Sequence, residues 1–285
     1  MTAQDTRPAP GTVGEALARA KARGLDRLDA QLLLAHHLDR PRSWLLAHDD
    51  AVLTPAQRDA FDTDVARRAD GVPIAYLLGQ REFHGLLLQV TPDVLDPRPD
   101  TETLVDWALE LLDGELAALP APQVLDLGTG SGAIALAVKQ GAPRVRMRAL
   151  DASAAALNVA QGNAQRLGME VSFTQSDWWS ALTSPRLHLA LSNPPYIDGD
   201  DPHLAQLRHE PLQALTPGPD GLQAITHIVQ GAPAHLEPGA WLLLEHGFDQ
   251  GAAVRRTLEQ QGFAAVTTRR DLAGHERCSG GRWPG

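Results

Sequence analysis

The 285-residue chain is short of cysteine, of long apolar runs and of positive charge, and each shortage excludes something. Cys278 is the only cysteine, so no internal disulfide and no cysteine-based zinc site can form. No apolar run approaches the ~20 residues needed to cross a bilayer. The start, Met1 to Gly11, is polar and proline-bearing and lacks a basic-then-apolar signal pattern, so a cytoplasmic location is expected. The net charge of −10 disfavours tight binding driven by a nucleic-acid backbone, which wants a basic stripe. A small local basic patch stays open, as does a protein partner or a small-molecule substrate. The 11 histidines are scattered; His36-His37 and the pair His203 and His209 are the closest clusters, and no metal site is expected. Internal repeats and low-complexity segments are absent. The 43% hydrophobic and 21% charged content is that of an ordinary globular chain, long enough for one large domain or two smaller ones.

The first ~70 residues read as helices by period and capping. Val13, Leu17, Ala20 and Leu25 begin one amphipathic pattern, and Leu28, Leu32, Leu33, Leu34 and Leu38 mark a second. Trp44 to Ala47 is a short third. Thr54-Pro55 is an N-cap and first-turn pair for a fourth helix over Ala56 to Ala69, closed by Gly71. Only 10 of the 25 basic and 11 of the 35 acidic residues lie in 1–70, so the acidity belongs to the remainder, with 15 basic and 24 acidic residues. Residues 72–99 read as a connector. Arg81 to Phe83 and Leu86 to Val90 flank a His84-Gly85 hairpin turn, and Pro92, Pro97 and Pro99 keep the following chain extended.

From Thr101 the pattern alternates. Helices are expected over Leu104–Leu112, Ala133–Lys139, Ala154–Leu167, Ile225–Leu236 and Ala252–Gln261. Strands are expected over Val124–Leu127, Val145–Leu150, Val171–Phe173, Leu187–Leu191 and Trp241–Leu244, with Ala264–Thr268 and the Cys278 region supplying the last ones. Such alternation predicts a doubly wound α/β sheet.

A strand, then Gly128-Thr129-Gly130-Ser131-Gly132, then a helix is the context of a nucleotide loop. Glycines let backbone approach a ligand and turn sharply. The spacing is ambiguous, because Gly128-x-Gly130-x-x-Ala133 also satisfies the dinucleotide pattern. Asp126, just before the glycines, suits a cationic ligand such as a methionine ammonium group and suits a pyrophosphate poorly. Asp151 stands at the next strand end, where an acid can accept both ribose hydroxyls. After the third strand, Asp177 can accept from an adenine amino group and Trp178 can cover the ring. Paired tryptophans such as Trp178 and Trp179 are often packing residues as well.

Asn193-Pro194-Pro195-Tyr196 follows another apolar strand. An amide nitrogen is a poor nucleophile, because its lone pair is delocalised into the carbonyl. A site helps by holding both N–H bonds and aiming the lone pair at a sulfonium methyl group. The Asn193 side-chain oxygen offers one acceptor and the Pro194 carbonyl a second, on a backbone stiffened by two prolines. Tyr196 can stack on the flat group or hydrogen bond to it. In-line displacement depends on orientation, which can contribute ~7–11 kcal/mol. No strong base is needed, since the nitrogen loses its proton easily once methylated.

With these residues in view, the chain resembles the glutamine-N5 methyltransferases of release factors, the PrmC or HemK family. The resemblance spans nearly the whole chain. It rests on Gly71 to Tyr76, Gly79 to Phe83, Pro97 to Glu102, Asp126 to Gly132, Ser176 to Trp178, Asn193 to Asp198, Glu210 to Leu212, Leu244 to Gly247, and Asp271 with Gly274 and Arg277. Ser131 stands where the family often has threonine. The amino-terminal helices match in pattern more than in identity.

The resemblance implies a helical substrate-docking domain over 1–71, a hairpin connector over 72–99, and a class I S-adenosylmethionine-dependent methyltransferase domain, Rossmann-like and doubly wound, over 100–285. It implies S-adenosylmethionine as donor and S-adenosylhomocysteine as product. The acceptor it implies is the glutamine of the Gly-Gly-Gln loop of class-1 peptide chain release factors, which works in translation termination. Carried over, Gly128 to Gly132, Asp151, Trp178 and Asn193 line the cofactor, and Asn193 to Tyr196 hold the glutamine. Arg98 to Glu102 border the mouth of the site. A monomer without direct nucleic-acid binding is expected. Rival readings are a glutamine methyltransferase of a ribosomal protein, a nucleic-acid amino-methyltransferase, and a nicotinamide-binding or sensor protein. A haem role finds no support, as no Cys-x-x-Cys-His is present.

Overall fold

The structure, a computed structural model, describes residues 11–183 and 186–285. The chain separates into two compact units, Met1–Gly79 and Gln80–Gly285.

The first unit is helical: α1 Val13–Ala22, α2 Arg27–Leu38, α3 Arg42–Ala47, α4 Pro55–Ala69 and α5 Ile74–Leu78. Its core gathers Leu33, Leu34, Leu45, Leu53 and Phe61, all essentially inaccessible. The ends are set by side chains. Thr12 and Glu15 form a capping box on α1, and Thr54 and Gln57 form another on α4, with Pro55 in the first turn. Leu28, expected among the apolar positions, lies in the first turn of α2 and is exposed. The α5 turn falls inside the segment read as a connector; five apolar residues are too few to display a helical period.

The second unit opens with the hairpin of β1 Gln80–Phe83 and β2 Leu86–Gln89. There follow α6 Glu102–Asp113, β3 Gln123–Leu127, α7 Ala133–Gly141, β4 Arg146–Asp151, α8 Ala154–Leu167, β5 Ser172–Gln175 and β6 Leu187–Ser192. The chain then adds α9 Gln223–Gly231, β7 Leu236–Glu245, α10 Gly251–Gln261, β8 Ala264–Arg270 and β9 Glu276–Arg282. Seven strands form one sheet in the order β5-β4-β3-β6-β7-β9-β8. The first five are parallel, and β9 pairs antiparallel with both β7 and β8.

Alternate residues of each strand enter opposite cores. Val124, Leu189, Leu191 and Leu243 pack with α6, α7 and the hairpin residues Phe83 and Leu88. Leu125, Leu127, Ala190, Leu242 and Leu244 pack with α9 and α10. Covering both faces is what a mainly parallel sheet requires. The helix expected over 225–236 stops at Gly231. Pro233 belongs to a 3-10 turn over Ala232–Ala234, and Leu236 already starts β7. Proline lacks the N–H that a continuing helix would use. No helix among the described residues is long and apolar enough to cross a membrane.

Candidate active site

The parallel register aligns the strand ends that carry the expected site. Leu127 pairs with Leu150 and with Ser192, Asp151 with Gln175, and Ser192 with Leu244. Gly128, Asp151, Ser176, Asn193 and Glu245 therefore leave the sheet along one edge, the carboxyl edge where open α/β sheets bind ligands. The Ser192 hydroxyl locks β6 to β3 by donating to the Leu127 carbonyl at 2.7 Å.

The glycine loop has φ of 72° at Gly128, 55° at Gly130 and 82° at Gly132. Side chains rarely adopt that region. A Cβ at Gly130 would meet nothing within 4 Å, whereas at Gly132 it would stand 3.2 Å from Ala160 and Leu136. Gly130 thus leaves backbone open to a ligand, and Gly132 lets α7 start against α8. The Leu150 carbonyl accepts from the Gly128 and Thr129 amides at 2.9 and 2.8 Å. Asn163, buried on α8, donates to the Ser131 carbonyl at 3.0 Å and exchanges hydrogen bonds with both backbone groups of Gln89. It was not singled out in the sequence, because a helical asparagine carries no local motif.

A cavity of about 170 Å³ lies against this edge, lined among others by Gly128, Gly130, Asp151, Asp177, Trp178, Asn193 and Pro195. Asp151 accepts from the Gly130 amide through Oδ2 and from the Ser153 amide through Oδ1, each at 2.9 Å. Burial pushes its carboxyl pKa up, against the lowering effect of those amides. Trp178 has a positive φ of 47° and holds its ring beside Gly128, where a Cβ would stand 3.6 Å from it. Trp179 points the other way. It is buried, donates through Nε1 to the Ile228 carbonyl at 3.0 Å and stacks on His235, so it is a packing residue.

Asp126, expected to face the ligand, lies beneath the loop and is fully buried in β3. It is absent from the cavity wall. Its Oδ2 accepts from the Thr129 hydroxyl at 2.6 Å, and its Oδ1 has no hydrogen-bond partner. Desolvation raises its pKa to about 7, opposed by the Thr129 hydroxyl and the Ala135 amide. Thr129 and Ser131 are buried, and with Gly132 they shape the loop from behind the wall.

Asn193 also lines a second, smaller cavity of about 80 Å³, together with Leu95, Arg98, Tyr196, Ile197, Leu207, Ala214 and Leu215. Leu95, Asn193 and Ala214 are common to the two cavities. Pro194 is buried between the Asn193 and Pro195 positions. The Asn193 Nδ2 donates to Thr101 Oγ1 at 3.2 Å, and the Tyr196 hydroxyl donates to Glu245 Oε1 at 3.3 Å. Burial and the neighbouring Glu245 charge push the Tyr196 pKa upward, so it stays a neutral donor. The Gln250 amide holds the Tyr196 carbonyl at 3.0 Å.

The strap between β6 and α9 supplies the outer wall through Pro211, Gln213 and Ala214. Glu210 fastens it. Its Oε1 takes a 2.5 Å ion pair from Arg98, and its Oε2 accepts from the Asp96 amide at 3.3 Å. The sequence motif Pro97 to Glu102 therefore reaches the site partly through this clamp. Asp93, Val94 and Leu95 also line the large cavity, and nothing in their composition marks them.

Three carboxylates, those of Asp93, Asp151 and Asp177, with an indole and an unobstructed glycine backbone, fit a cationic ligand carrying a nucleoside, which is the chemistry of S-adenosylmethionine. They fit a pyrophosphate less well, because Asp151 occupies the Gly130 amide that a phosphate would need.

Comparisons with known proteins agree with this geometry. Residues 13–79 match the PrmC N-terminal domain, and residues 101–261 match the methyltransferase small domain. The release factor glutamine methyltransferase of Bordetella pertussis is 54% identical over 261 residues, covering 90% of this chain and 95% of that protein. The protein of the same name from Burkholderia pseudomallei is 51% identical over 98% of this chain and 99% of its own. Among solved structures, a methyltransferase from Pyrococcus furiosus shares 16% identity at a TM-score of 0.52, covering 70% of this chain and 90% of that one. The T. thermophilus 16S rRNA methyltransferase RsmC, in complex with AdoMet and guanosine, shares 20% identity at a TM-score of 0.53, covering 72% and 49%. Those two show the fold. The two-unit architecture and the end-to-end likeness to its relatives place this chain in the release factor glutamine methyltransferase family.

Proposed function

We propose that this protein transfers a methyl group from S-adenosylmethionine to N5 of the glutamine in the Gly-Gly-Gln motif of class-1 peptide chain release factors, modulating translation termination. The observation that carries the reading is the place of Asn193, a wall common to the larger cavity with its carboxylates and the smaller cavity beside Tyr196. A planar amide entering the smaller cavity meets the contents of the larger one at that residue.

S-adenosylmethionine supplies a sulfonium methyl group that a nucleophile can take in line. The chain's own residues hold and aim. The backbone of Gly128 to Gly132 accommodates the donor, with Asp126 bracing the loop through Thr129. Asp151 accepts from ribose hydroxyls with the lone pairs its two amide contacts leave, Asp177 accepts from the adenine amino group, and Trp178 borders the ring. Asn193 Oδ1 and the Pro194 carbonyl accept the two N–H bonds of the substrate amide, so its nitrogen lone pair faces the methyl group. Pro195 stiffens that backbone and Tyr196 closes the pocket. The methylated nitrogen then loses its proton to water, and no general base is assigned.

In this reading the Met1–Gly79 unit docks the release factor, and the reaction proceeds in the cytoplasm with a monomeric enzyme that does not bind nucleic acid directly. The experiment is methyl transfer from labelled S-adenosylmethionine to purified unmethylated release factor, beside its Gly-Gly-Gln glutamine→alanine variant. Label on the first and none on the second is expected. No label on either, with a known active enzyme passing as control, would overturn the assignment.

A further inference from the structure

The larger cavity takes its walls from segments far apart in the chain. Gly128 and Gly130 belong to the loop after β3, and Asp93, Val94 and Leu95 to the turn that leaves the hairpin. Asn163 stands behind both. It lies on α8, is fully buried and lines neither cavity. Its Nδ2 donates to the Ser131 carbonyl at 3.0 Å, between Gly130 and Gly132, and to the Gln89 carbonyl at 2.9 Å. Its Oδ1 accepts from the Gln89 amide at 2.7 Å and from Arg166 at 3.2 Å. The two protons and two lone pairs of the carboxamide are thus all used. Reversed, its NH2 group would face the Gln89 amide, donor against donor.

β2 has one strand neighbour, β1, so its other edge carries backbone groups without a strand partner. Asn163 gives Gln89 what a third strand would give, one donor and one acceptor. Arg166, three residues along α8, donates to the Leu87 carbonyl on the same edge. Ala160, three residues the other way, is where Gly132 packs. One stripe of α8 therefore carries the glycine loop at one end and the hairpin at the other. Past Gln89, Val90 is buried, and Thr91 turns the chain by accepting from the Asp93 amide at 3.2 Å and the Val94 amide at 3.1 Å. Little slack separates the bridge from the wall. We propose that Asn163 is a positioning residue for the methyl donor, whose carboxamide sets the spacing between the glycine loop and the 93–95 segment and so ties the hairpin to the S-adenosylmethionine site. Aspartate has the same shape without a donor, and leucine has neither donor nor acceptor. The inference rests on the larger cavity being the donor site.

The test compares wild type with Asn163→Leu, Asn163→Asp and Val254→Ala in the full chain. Val254 is buried in the opposite core, so its truncation lowers stability without touching the bridge. The Kd for S-adenosylmethionine should rise at least tenfold in both Asn163 variants, while kcat at saturating donor stays within threefold of wild type. Val254→Ala should keep its Kd within twofold. Hydrogen exchange at the Gln89 amide supplies a second readout. S-adenosylmethionine should slow it in wild type, although Gln89 does not line the cavity. Asn163→Asp keeps an acceptor for that amide and loses the donor to Ser131, so exchange there should no longer respond to the donor. A Kd within twofold of wild type in either Asn163 variant, or wild-type exchange at Gln89 indifferent to S-adenosylmethionine, would overturn the proposal. Should Asn163→Leu fail to fold, Asn163→Asp carries the test, and the wild-type exchange needs no variant. A wild type that binds no S-adenosylmethionine would remove the donor site instead. Ligand-free exchange at Gln89 and Gly132, expected to quicken in Asn163→Leu, would then still decide the bridge.

Discussion

The Asp151 carboxylate and the Gly130 amide are joined at 2.9 Å although 21 residues separate them. The end of β4 thus holds the loop that follows β3, and one acid both shapes the loop and faces the cavity. Asp151→Ala removes a charged acceptor from two amides and from the ligand. Hydrogen bonds to charged groups contribute about 1.5–3 kcal/mol, so affinity for S-adenosylmethionine should fall roughly 10- to 100-fold. Calorimetric titration checks this, and an unchanged Kd would reject the ribose assignment.

Gly132 combines a φ of 82° with two contacts at 3.2 Å that a Cβ would make. Gly132→Ala should cost ~1–3 kcal/mol, from the left-handed backbone and the crowding between α7 and α8. Chemical denaturation should show a lower midpoint, with weakened S-adenosylmethionine binding. A variant as stable as wild type would mean that the loop has another conformation available.

The buried Asp126 carboxyl makes stability depend on pH in a definite direction. Its pKa is raised to about 7 in the folded protein from an ordinary 3.8. Burial therefore favours the protonated form. That contribution is complete below pH 3.8 and is lost as pH rises toward about 7, by roughly 4 kcal/mol at most. Asp126→Asn lacks this titration. Urea midpoints measured from pH 4.5 to 8 should show the variant gaining on wild type as pH rises. Glu245, also raised to about 7, titrates in both proteins and cancels in the difference. Parallel curves would remove Asp126 as the source.

What the sequence made legible here follows from chemistry that is local. Gly128 to Gly132 needs positive φ at alternate positions, and two prolines after Asn193 admit few backbone conformations, so both segments declare themselves as written. The Asp126 carboxylate was visible too, but its depth was not, because burial is decided by the loop and helix folded over it. Thr101 and Asn193 meet across 92 residues, and Tyr196 and Glu245 across 49, so those contacts exist only in the folded sheet. The apolar run from Ile225 to Leu236 looked like one helix because strand and helix share a composition there. Gly231 and Pro233 held the correct division.

Arg98→Met leaves the Glu210 carboxylate, whose side chain is 2% exposed, without its 2.5 Å partner. Stranding a buried charge costs roughly 3 kcal/mol or more. The strap should loosen before the sheet does. Hydrogen exchange over residues 207–215 should quicken, and S-adenosylmethionine affinity should fall, since Pro211, Gln213 and Ala214 line the cavity. Unchanged exchange in that segment would show that the clamp is dispensable.

In the helical unit, Thr54 caps α4 by accepting from the Gln57 amide at 3.2 Å, and Gln57 returns the favour at the Thr54 amide at 3.0 Å. Thr54→Ala should cost about 1 kcal/mol, and Thr54→Ser almost nothing. Thermal melts of the three proteins measure the difference, and equal melting for Ala and Ser would exclude the cap.

The sheet order has a consequence for assembly. β8 reaches the sheet only through β9, which comes after it in the chain yet lies inside it, between β7 and β8. Until residues 276–282 have been made, β7 has an open edge and β8 has nowhere to dock. Closure from within delays the long-range contacts that slow folding. β9 also pairs Cys278 with Glu245, so the strand end beside Tyr196 has its full set of neighbours only in the closed sheet.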